Sequence, residues 1–215
     1  ITSELLDKTP QLKLIVTCTS GFEHIDLNET QKRNICVMFT PEANTIAAAE
    51  LTWGLLLACN RSIPAAHATL KKGIWTREPF LGTELANKTL GIVGLGRIGK
   101  KVAQYANAFG MNVLAFDPYV ESSAFTESKA ARVSYEEILK QSDILSFHVP
   151  STKETLHMFS QSQIEYVHPD LILINTSRGS VVNEEDLIKA LQDKKIKFAA
   201  LDVFSKEPWL KTQNF

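Results

Sequence analysis

Residues 89–117 read TLGIVGLGRIGKKVAQYANAFGMNVLAFD, and this stretch decides the fold. The apolar run 89–93 predicts a buried strand, and the pattern Gly-x-Gly-x-x-Gly follows it directly. Residues 100–109 carry apolar side chains at helical spacing, Gly110 ends that helix, and 111–116 predicts a second strand with Asp117 at its end. A strand, glycine turn, helix, strand and acid in this order are typical of a dinucleotide-binding unit.

Each part of the pattern has a physical reason. Gly94 permits the tight turn, Gly96 lets a pyrophosphate approach the backbone, and Gly99 allows close packing of helix on sheet. The helix N-terminus offers free N–H groups to the phosphates. A carboxylate at Asp117 can accept both ribose hydroxyls and repels the 2′-phosphate of NADP, so the pattern favours NAD. The alternative is a glycine-rich turn that binds nothing.

Composition is that of an ordinary globular protein. The chain has 215 residues, of which 44% are hydrophobic and 22% charged, with a net charge of −1. The charge gives no indication of binding to nucleic acid or membrane. The three cysteines fit no zinc spacing, so no metal site is predicted; free thiols indicate a reducing compartment, and we expect a cytoplasmic protein. No signal peptide is recognised, and both ends of the sequence look cut.

Alternation of strands and helices from residue 88 onward predicts an α/β fold with a doubly wound parallel sheet. The further strands are predicted at 143–149, 171–175 and 198–203, and the further helices at 135–141, 161–167 and 183–192. Before residue 88, strands at 12–17 and 35–39 flank a helix at 28–33, and a long helical run at 45–70 is broken or kinked near Pro64. Ligands of such sheets bind beyond the carboxyl ends of the strands, where the informative loops must lie.

Arg178 follows one of these strands, in the segment Asn-Thr-Ser-Arg-Gly. Its planar guanidinium could hold a carboxylate or a ketone oxygen by paired hydrogen bonds. The alternative is a surface arginine that pairs with Glu184 or Glu185.

Three more polar residues lie at strand ends. Asp202 could accept a hydrogen bond from a nicotinamide carboxamide, or it could cap a loop. Glu207 could orient a histidine and raise its pKa, or it could be a solvated residue. His148 could act as a base, but a packed or cofactor-contacting histidine is the favoured interpretation.

Several segments together resemble the D-isomer-specific 2-hydroxyacid dehydrogenases, over essentially the whole chain. The matching segments are 94–99, Asp117-Pro118, 143–150 with Thr155, 175–179 with Val182, and 201–204 with Glu207-Pro208. Within the family, the segments 44–51 and 82–91 are most similar to the phosphoglycerate dehydrogenases. The resemblance implies a Rossmann NAD-binding domain at 45–215, C-terminally incomplete, and at 1–44 a part of a flavodoxin-like substrate-binding domain. It also implies NAD as cofactor, a small 2-hydroxy or 2-oxo acid as substrate, and a homodimer formed through the helix at 45–70.

Site residues follow from the same resemblance. Arg178 and Glu207 match the catalytic arginine and the carboxylate that pairs with the catalytic histidine. The implied cofactor-binding residues are Gly94, Gly96, Arg97, Ile98, Gly99, Asp117, Val149, Thr176, Ser177 and Asp202. The implied substrate-binding residues are Thr19, Ser20, Gly21 and Arg77.

Two departures leave the activity and the substrate open. The family's catalytic histidine is expected beyond Phe215, outside this sequence, and Thr17 stands where many phosphoglycerate enzymes carry an arginine. D-3-phosphoglycerate, as in serine biosynthesis, is the leading expectation. A glyoxylate/hydroxypyruvate or D-lactate-type reductase and a non-catalytic, NAD-sensing corepressor-like module are the alternatives. Formate dehydrogenase is disfavoured by Glu207, because that enzyme typically has glutamine there.

Overall fold

The computed structural model describes residues 1–19, 21–22 and 24–208. The chain divides into two compact units, Ile1–Ala47 and a second that begins at Ala48. This division lies slightly after the boundary at 44–45 that the resemblance implies, inside the first turn of a helix that begins at Thr45.

The first unit is a small α/β layer. It contains α1 (Ser3–Asp7), β1 (Leu14–Thr17), α2 (Leu27–Lys32) and β2 (Cys36–Phe39). The two strands are parallel, with Leu14 opposite Cys36, and Leu6, Ile15, Ile25 and Ile35 form the buried core. The sequence predicts both strands and α2 but not α1, which is short and largely polar.

The second unit is built on a parallel sheet of six strands in the order β5-β4-β3-β6-β7-β8. The strands are β3 (Thr89–Val93), β4 (Asn112–Phe116), β5 (Ala131–Arg132), β6 (Ile144–Phe147), β7 (Ile172–Asn175) and β8 (Phe198–Leu201). The helices are α3 (Thr45–Asn60), α4 (Ile63–Lys71), α5 (Arg97–Ala108), α6 (Ser122–Glu127), α7 (Tyr135–Gln141), α8 (Gln161–Ile164) and α9 (Glu184–Gln192). The predicted doubly wound parallel sheet is confirmed.

Both faces of this sheet are covered, which explains why its central strands β3, β6 and β7 are mostly apolar and buried. One hydrophobic cluster joins alternate strand residues such as Ile92 to α3, α5 and α6. The other joins the intervening residues, such as Val93 and Phe147, to α7, α8 and α9. The order of strands reverses at β3, whose neighbours are β4 and β6. Ligands of open α/β sheets bind beyond the strands at such a switch point.

The single broken helix predicted at 45–70 is two helices. The first ends at Asn60, and the second begins at Ile63. The break lies just before Pro64, at Ser62, whose φ of 51° places it in the left-handed region. Pro64 itself lies in the first turn of α4, where a missing N–H costs no helical hydrogen bond.

Other boundaries differ by a few residues. The strand predicted at 143–149 spans only Ile144–Phe147. Just before it, the Asp143 carboxylate accepts from the Thr89 N–H at 2.8 Å. The helix predicted at 161–167 ends at Ile164. Ser134 and Glu137 form a capping box at the start of α7, with both reciprocal hydrogen bonds present. Within the described ranges, no helix is long and apolar enough to cross a membrane.

Candidate active site

The glycine turn after β3 is shaped by three different requirements. Gly94 has a φ of 95°, and a Cβ there would lie 2.6 Å from the His148 carbonyl oxygen. A Cβ on Gly99 would lie 2.1 Å from the Gly94 carbonyl oxygen, so the first turn of α5 packs directly on the loop. A Cβ on Gly96 would meet nothing within 4 Å. Gly96 therefore borders open space at the N-terminus of α5, as backbone that must admit a pyrophosphate requires.

Asp117 is held in place by the backbone around it. One carboxylate oxygen accepts from the Leu95 N–H at 2.8 Å, and the other accepts from the N–H groups of Tyr119 at 2.9 Å and Val120 at 3.3 Å. These bonds tie the end of β4 to the glycine turn. Each carboxylate oxygen has more than one lone pair, so the group keeps acceptor capacity for a ribose.

A groove of about 610 Å³ runs along the carboxyl ends of β3, β4 and β6. Four predicted cofactor residues line it: Gly94, Gly96, Asp117 and Val149. Its walls also include Tyr135, which donates a hydrogen bond to the Met158 carbonyl at 2.6 Å, and burial raises the pKa of this phenol. Largely apolar walls with few polar groups are typical of a small-molecule site.

His148 also lines the groove, directly after β6. Its Nε2 lies 2.9 Å from the Ser146 hydroxyl, and burial lowers the pKa of the imidazole to about 4. The ring is therefore neutral at physiological pH. A base with so low a pKa is poorly matched to proton abstraction near pH 7, which favours the interpretation as a packed or cofactor-contacting histidine.

This neutral histidine predicts a pH dependence of stability. In the unfolded chain the imidazole has its ordinary pKa near 6.5, so between pH 6.5 and 4 the unfolded state binds more protons than the folded state. The free energy of unfolding should therefore fall as pH decreases through this window, by up to about 1.4 kcal/mol per pH unit from this group. The free energy of unfolding, measured with urea at several pH values, should depend less steeply on pH in His148→Gln than in the parent. His168→Gln, at an exposed position, is the control, and equal slopes for His148→Gln and the parent would contradict the assignment.

The loop that carries Arg178 is ordered by a buried amide. Asn175 ends β7 and is 1% exposed. Its amide nitrogen donates to the Arg178 carbonyl at 2.8 Å, and its oxygen accepts from the Ser177 N–H at 3.0 Å and the Ser177 hydroxyl at 2.8 Å. The Arg178 guanidinium donates to the Ser177 carbonyl at 2.8 Å. The arginine is thus partly buried on a loop whose backbone is fixed by hydrogen bonds.

The segment after β8 lies against this loop. The Asp202 N–H donates to the Asn175 carbonyl at 3.0 Å, and a Cβ on Gly179 would lie 2.0 Å from the Phe204 carbonyl carbon. Glu207 accepts from the Phe204 N–H at 2.9 Å. The structure therefore brings the segment of Arg178 together with that of Asp202 and Glu207, on the same side of the sheet.

The remaining predicted residues are more dispersed. Thr176 forms a hydrogen bond at 2.7 Å with Thr52 of α3, and Arg97 and Ile98 begin α5. Arg77 is exposed, with its guanidinium 5.5 Å from the ring centre of Trp75. Thr19 and Gly21 belong to the first unit, where the Thr19 hydroxyl donates to the Gly21 carbonyl at 2.6 Å. Ser20 lies outside the described residues.

Sequence reasoning missed several residues that line the groove. Tyr119 and Glu154 are joined by a hydrogen bond from the phenol to the carboxylate, which links the loop after β4 to the loop after β6. Both side chains line the groove, as do Tyr135 and Met158. The proximity of Tyr119 to Asp117 was the one available signal. No motif marks the other three.

The residues at the groove fit a dinucleotide. The open space at Gly96 and the N-terminus of α5 would hold the pyrophosphate, Asp117 would hold the adenosine ribose, and the apolar wall at Val149 would cover the adenine. The strand order places this groove at the switch point of the sheet. The donor set and the cradle therefore agree with NAD.

Comparison with known proteins agrees with this geometry. The family model for the NAD-binding domain of D-isomer-specific 2-hydroxyacid dehydrogenases matches residues 53–215. A D-3-phosphoglycerate dehydrogenase of Methanocaldococcus jannaschii is 41% identical over 97% of this chain, which covers 40% of that protein. A glyoxylate reductase of Thermococcus litoralis is 43% identical over 100% of this chain, which covers 67% of that protein.

The same family is found among solved structures. A D-lactate dehydrogenase of Aquifex aeolicus, solved with NAD and lactic acid, superimposes with a TM-score of 0.87 at 40% identity. The match covers 96% of this chain and 62% of that one. The chain thus spans between two fifths and two thirds of the length of these relatives.

Proposed function

Because this chain belongs to the D-isomer-specific 2-hydroxyacid dehydrogenase family, we propose that it acts in an NAD-dependent transfer of hydride between a D-2-hydroxy acid and nicotinamide. The observation that carries the proposal is the junction of the Arg178 loop with the 202–207 segment, beside a groove suited to a dinucleotide. A positioned cation can bind an acid substrate, and a carboxylate at the same edge of the sheet can orient a catalytic histidine.

When bound, NAD supplies the hydride acceptor of the reaction. Asp202 would accept a hydrogen bond from the carboxamide, and the hydroxyls and backbone of Thr176 and Ser177 would contact the cofactor between the strand ends. Thr176 keeps its place through the hydrogen bond to Thr52. These contacts would fix the nicotinamide face toward Arg178.

Arg178 and Glu207 would act on the substrate side. The guanidinium would hold the substrate carboxylate and carbonyl by charge-assisted hydrogen bonds. Glu207 would accept a hydrogen bond from the histidine that protonates the carbonyl oxygen, and that histidine would come from outside residues 1–215. Thr19, Ser20 and Gly21 are proposed as further substrate-binding residues, as the resemblance implies.

D-3-phosphoglycerate is the substrate that we propose, with a place in serine biosynthesis. Its support is the 41% identity to a phosphoglycerate dehydrogenase over 97% of the chain, and Arg77 as a cation for the substrate phosphate. Two observations favour a second candidate, a reductase of glyoxylate, hydroxypyruvate or D-lactate type. Thr17 stands where many phosphoglycerate enzymes carry an arginine. The glyoxylate reductase of Thermococcus litoralis is 43% identical to this chain.

A substrate panel separates these candidates. The complete gene product is assayed with NADH and matched concentrations of phosphohydroxypyruvate, hydroxypyruvate, glyoxylate and pyruvate. We expect kcat/KM for phosphohydroxypyruvate to exceed that for hydroxypyruvate at least about tenfold, the value of one good charge-assisted contact. A preference for the phosphate-free acids would overturn the assignment in favour of the second candidate. Tight NAD binding with no turnover of any acid would support a corepressor-like module.

A homodimer through α3 and α4 is also proposed. Large apolar side chains on these helices and the loop after them are exposed in the single chain: Ile46, Leu51, Ile63, Leu70, Ile74 and Trp75. Exposed apolar surface of this extent marks an interaction site. We propose that a second copy of this chain covers this surface, because the family resemblance implies a homodimer formed through the helix at 45–70.

The free thiols Cys18, Cys36 and Cys59 agree with a reducing compartment, and we propose the cytoplasm.

Leu70→Asp should convert the dimer to a monomer, because dimer formation would bury the new carboxylate in an apolar interface without a partner. Leu156→Asp is a matched control, since both leucines are 55% exposed and Leu156 lies outside these helices. Light scattering coupled to size exclusion measures the mass. A monomeric parent, or a Leu70→Asp variant that remains dimeric, would contradict this interface.

A further inference from the structure

We propose that Thr52, a buried residue of α3, is a positioning residue that makes the Thr176 hydroxyl a hydrogen-bond acceptor toward the cofactor. The inference rests on the proposed binding of NAD beside Thr176. It assigns a role to a residue outside every segment on which the family resemblance rests. The cofactor groups that an acceptor can bind are donors, namely the carboxamide N–H groups and the hydroxyls of the nicotinamide ribose.

The Thr52 hydroxyl lies between two oxygen atoms. Its Oγ1 is 2.8 Å from the Ala48 carbonyl oxygen, one turn earlier in α3, and 2.7 Å from the Thr176 Oγ1, directly after β7. Thr52 is only 1% exposed, so solvent does not compete for these two bonds. The contact therefore ties α3 to the loop that carries Arg178.

The number of protons fixes the direction of both bonds. A carbonyl oxygen can only accept, so the single hydroxyl proton of Thr52 is donated to Ala48. The Thr52 oxygen then has only lone pairs to offer, and the Thr176 hydroxyl must be the donor in the second bond. Because the proton of Thr176 is directed at Thr52, the hydroxyl has only a lone pair left for a ligand.

The neighbouring hydroxyl has its proton directed inward in the same way. The Ser177 hydroxyl donates to the Asn175 Oδ1 at 2.8 Å, and this oxygen also accepts from the Ser177 N–H at 3.0 Å. The Asn175 amide cannot be turned around, because its nitrogen donates to the Arg178 carbonyl at 2.8 Å. The hydroxyls of Thr176 and Ser177 therefore both present lone pairs, and together they form an acceptor edge of the loop.

An acceptor edge matches the nicotinamide end of NAD. The carboxamide has two N–H donors and the ribose has two hydroxyls. Asp202 is proposed to accept from one carboxamide N–H, and Thr176 and Ser177 can accept from the remaining donors. Arg178, on the same loop, has N–H donors only, which suit a substrate carboxylate. The loop thus separates acceptors for the cofactor from donors for the substrate.

Loss of the Thr52 hydroxyl should therefore be felt at the cofactor. Valine has the shape of threonine without the hydroxyl, so in Thr52→Val the Thr176 proton has no acceptor in α3. The proton can then turn toward the cofactor, where it meets a second donor. An unmatched pair of donors costs about as much as a lost hydrogen bond. Serine at position 52 keeps the oxygen that Thr176 requires.

The test measures NADH binding to the complete gene product by the change in reduced-nicotinamide fluorescence. The variants are Thr52→Val, Thr52→Ser, Thr176→Val and the double valine variant. Thr69→Val is the matched control, because the Thr69 hydroxyl donates to a carbonyl one turn earlier at 2.9 Å, as Thr52 does, but in α4. Melting temperatures establish that each variant is folded, and Thr52→Ala takes the place of Thr52→Val if the latter unfolds.

We expect Thr52→Val and Thr176→Val each to raise the Kd for NADH about tenfold, the value of one hydrogen bond. The double variant should bind no more weakly than Thr176→Val, because Thr52 acts only through Thr176. Thr52→Ser should restore most of the affinity, and Thr69→Val should leave the Kd unchanged. A residue that only stabilised the fold would weaken binding in the Thr176→Val background as well.

The 3-acetylpyridine analogue of NAD identifies the donor, because a methyl group replaces its carboxamide nitrogen. Its Kd and that of NAD are measured by displacement of NADH. If Thr176 accepts from the carboxamide, Thr52→Val should weaken NAD but not the analogue. If it accepts from a ribose hydroxyl, both should be weakened equally. Either result supports the inference.

Two results would overturn the role of Thr52 alone. One is a Thr52→Val variant that binds NADH as tightly as the parent does. The other is a loss that persists in full when Thr52→Val is added to Thr176→Val. A parent protein that does not bind NADH would overturn the proposed cofactor and this inference together.

Discussion

Arg178→Ala is expected to lower kcat/KM by about 30- to 1000-fold, which corresponds to about 2–4 kcal/mol of transition-state stabilisation. The guanidinium is partly buried on a loop that Asn175 holds by three hydrogen bonds, so its position is fixed before substrate arrives. Loss of a preorganised donor at the reacting carbonyl should reduce kcat as well as raise KM. Steady-state kinetics with the best acid of the panel measures both constants.

Two comparisons separate this role from a structural one. Arg178→Lys retains the charge but not the paired donors, so we expect it to recover only a small part of the loss. NADH binding and the melting temperature of Arg178→Ala should stay close to those of the parent, because the loop is ordered mainly by the Asn175 side chain. An unchanged kcat/KM in Arg178→Ala would eliminate the proposed role.

Gly99→Ala is expected to lower the free energy of unfolding by about 1–3 kcal/mol. The new Cβ would lie 2.1 Å from the Gly94 carbonyl oxygen, which is backbone and cannot rotate away. The first turn of α5 would have to move off the glycine turn, and NADH affinity should fall with it. Urea unfolding and fluorescence titration measure the two effects.

Gly96→Ala is the matched control, because a Cβ at this position would meet nothing within 4 Å. Its stability should stay within about 0.5 kcal/mol of the parent, as for substitutions away from packed features. Its affinity for NADH should still fall, since the methyl group would occupy the space that the pyrophosphate needs. Equal losses of stability in both variants would contradict the packing described here.

Much of the fold could be predicted because the second unit buries its strands on both faces. The continuous apolar runs of β3, β6 and β7 and the strong caps at Ser134 and Asn183 are local signals. The edge strand β5 has only two residues, both exposed, and α6 has six, so neither shows a clear hydrophobic period. The break near Pro64 is predicted from the sequence, but its position at Ser62 depends on a left-handed backbone that the sequence does not specify.

Some residues of the site could be predicted from the sequence and others could not. The glycine turn and Asp117 could be placed from sequence, because their spacing follows from the geometry of one strand-helix-strand unit. The Tyr119–Glu154 hydrogen bond joins side chains from two separate loops. Only the folded arrangement of β4 and β6 brings these two groups together. The hydrogen bonds of Asn175 are local, and an asparagine before Thr-Ser at a strand end could have indicated them.

The most direct test of the central claim is the stereochemistry of turnover. The complete gene product is given NAD with the D- and the L-enantiomer of one chiral 2-hydroxy acid, and NADH formation is followed. The acid is the reduced form of the best chiral-product oxo acid of the panel: 3-phosphoglycerate, glycerate or lactate. We expect oxidation of the D-enantiomer alone, abolished or reduced at least about 30-fold in Arg178→Ala. Oxidation of the L-enantiomer, or binding of NAD with no turnover of either enantiomer, would contradict it.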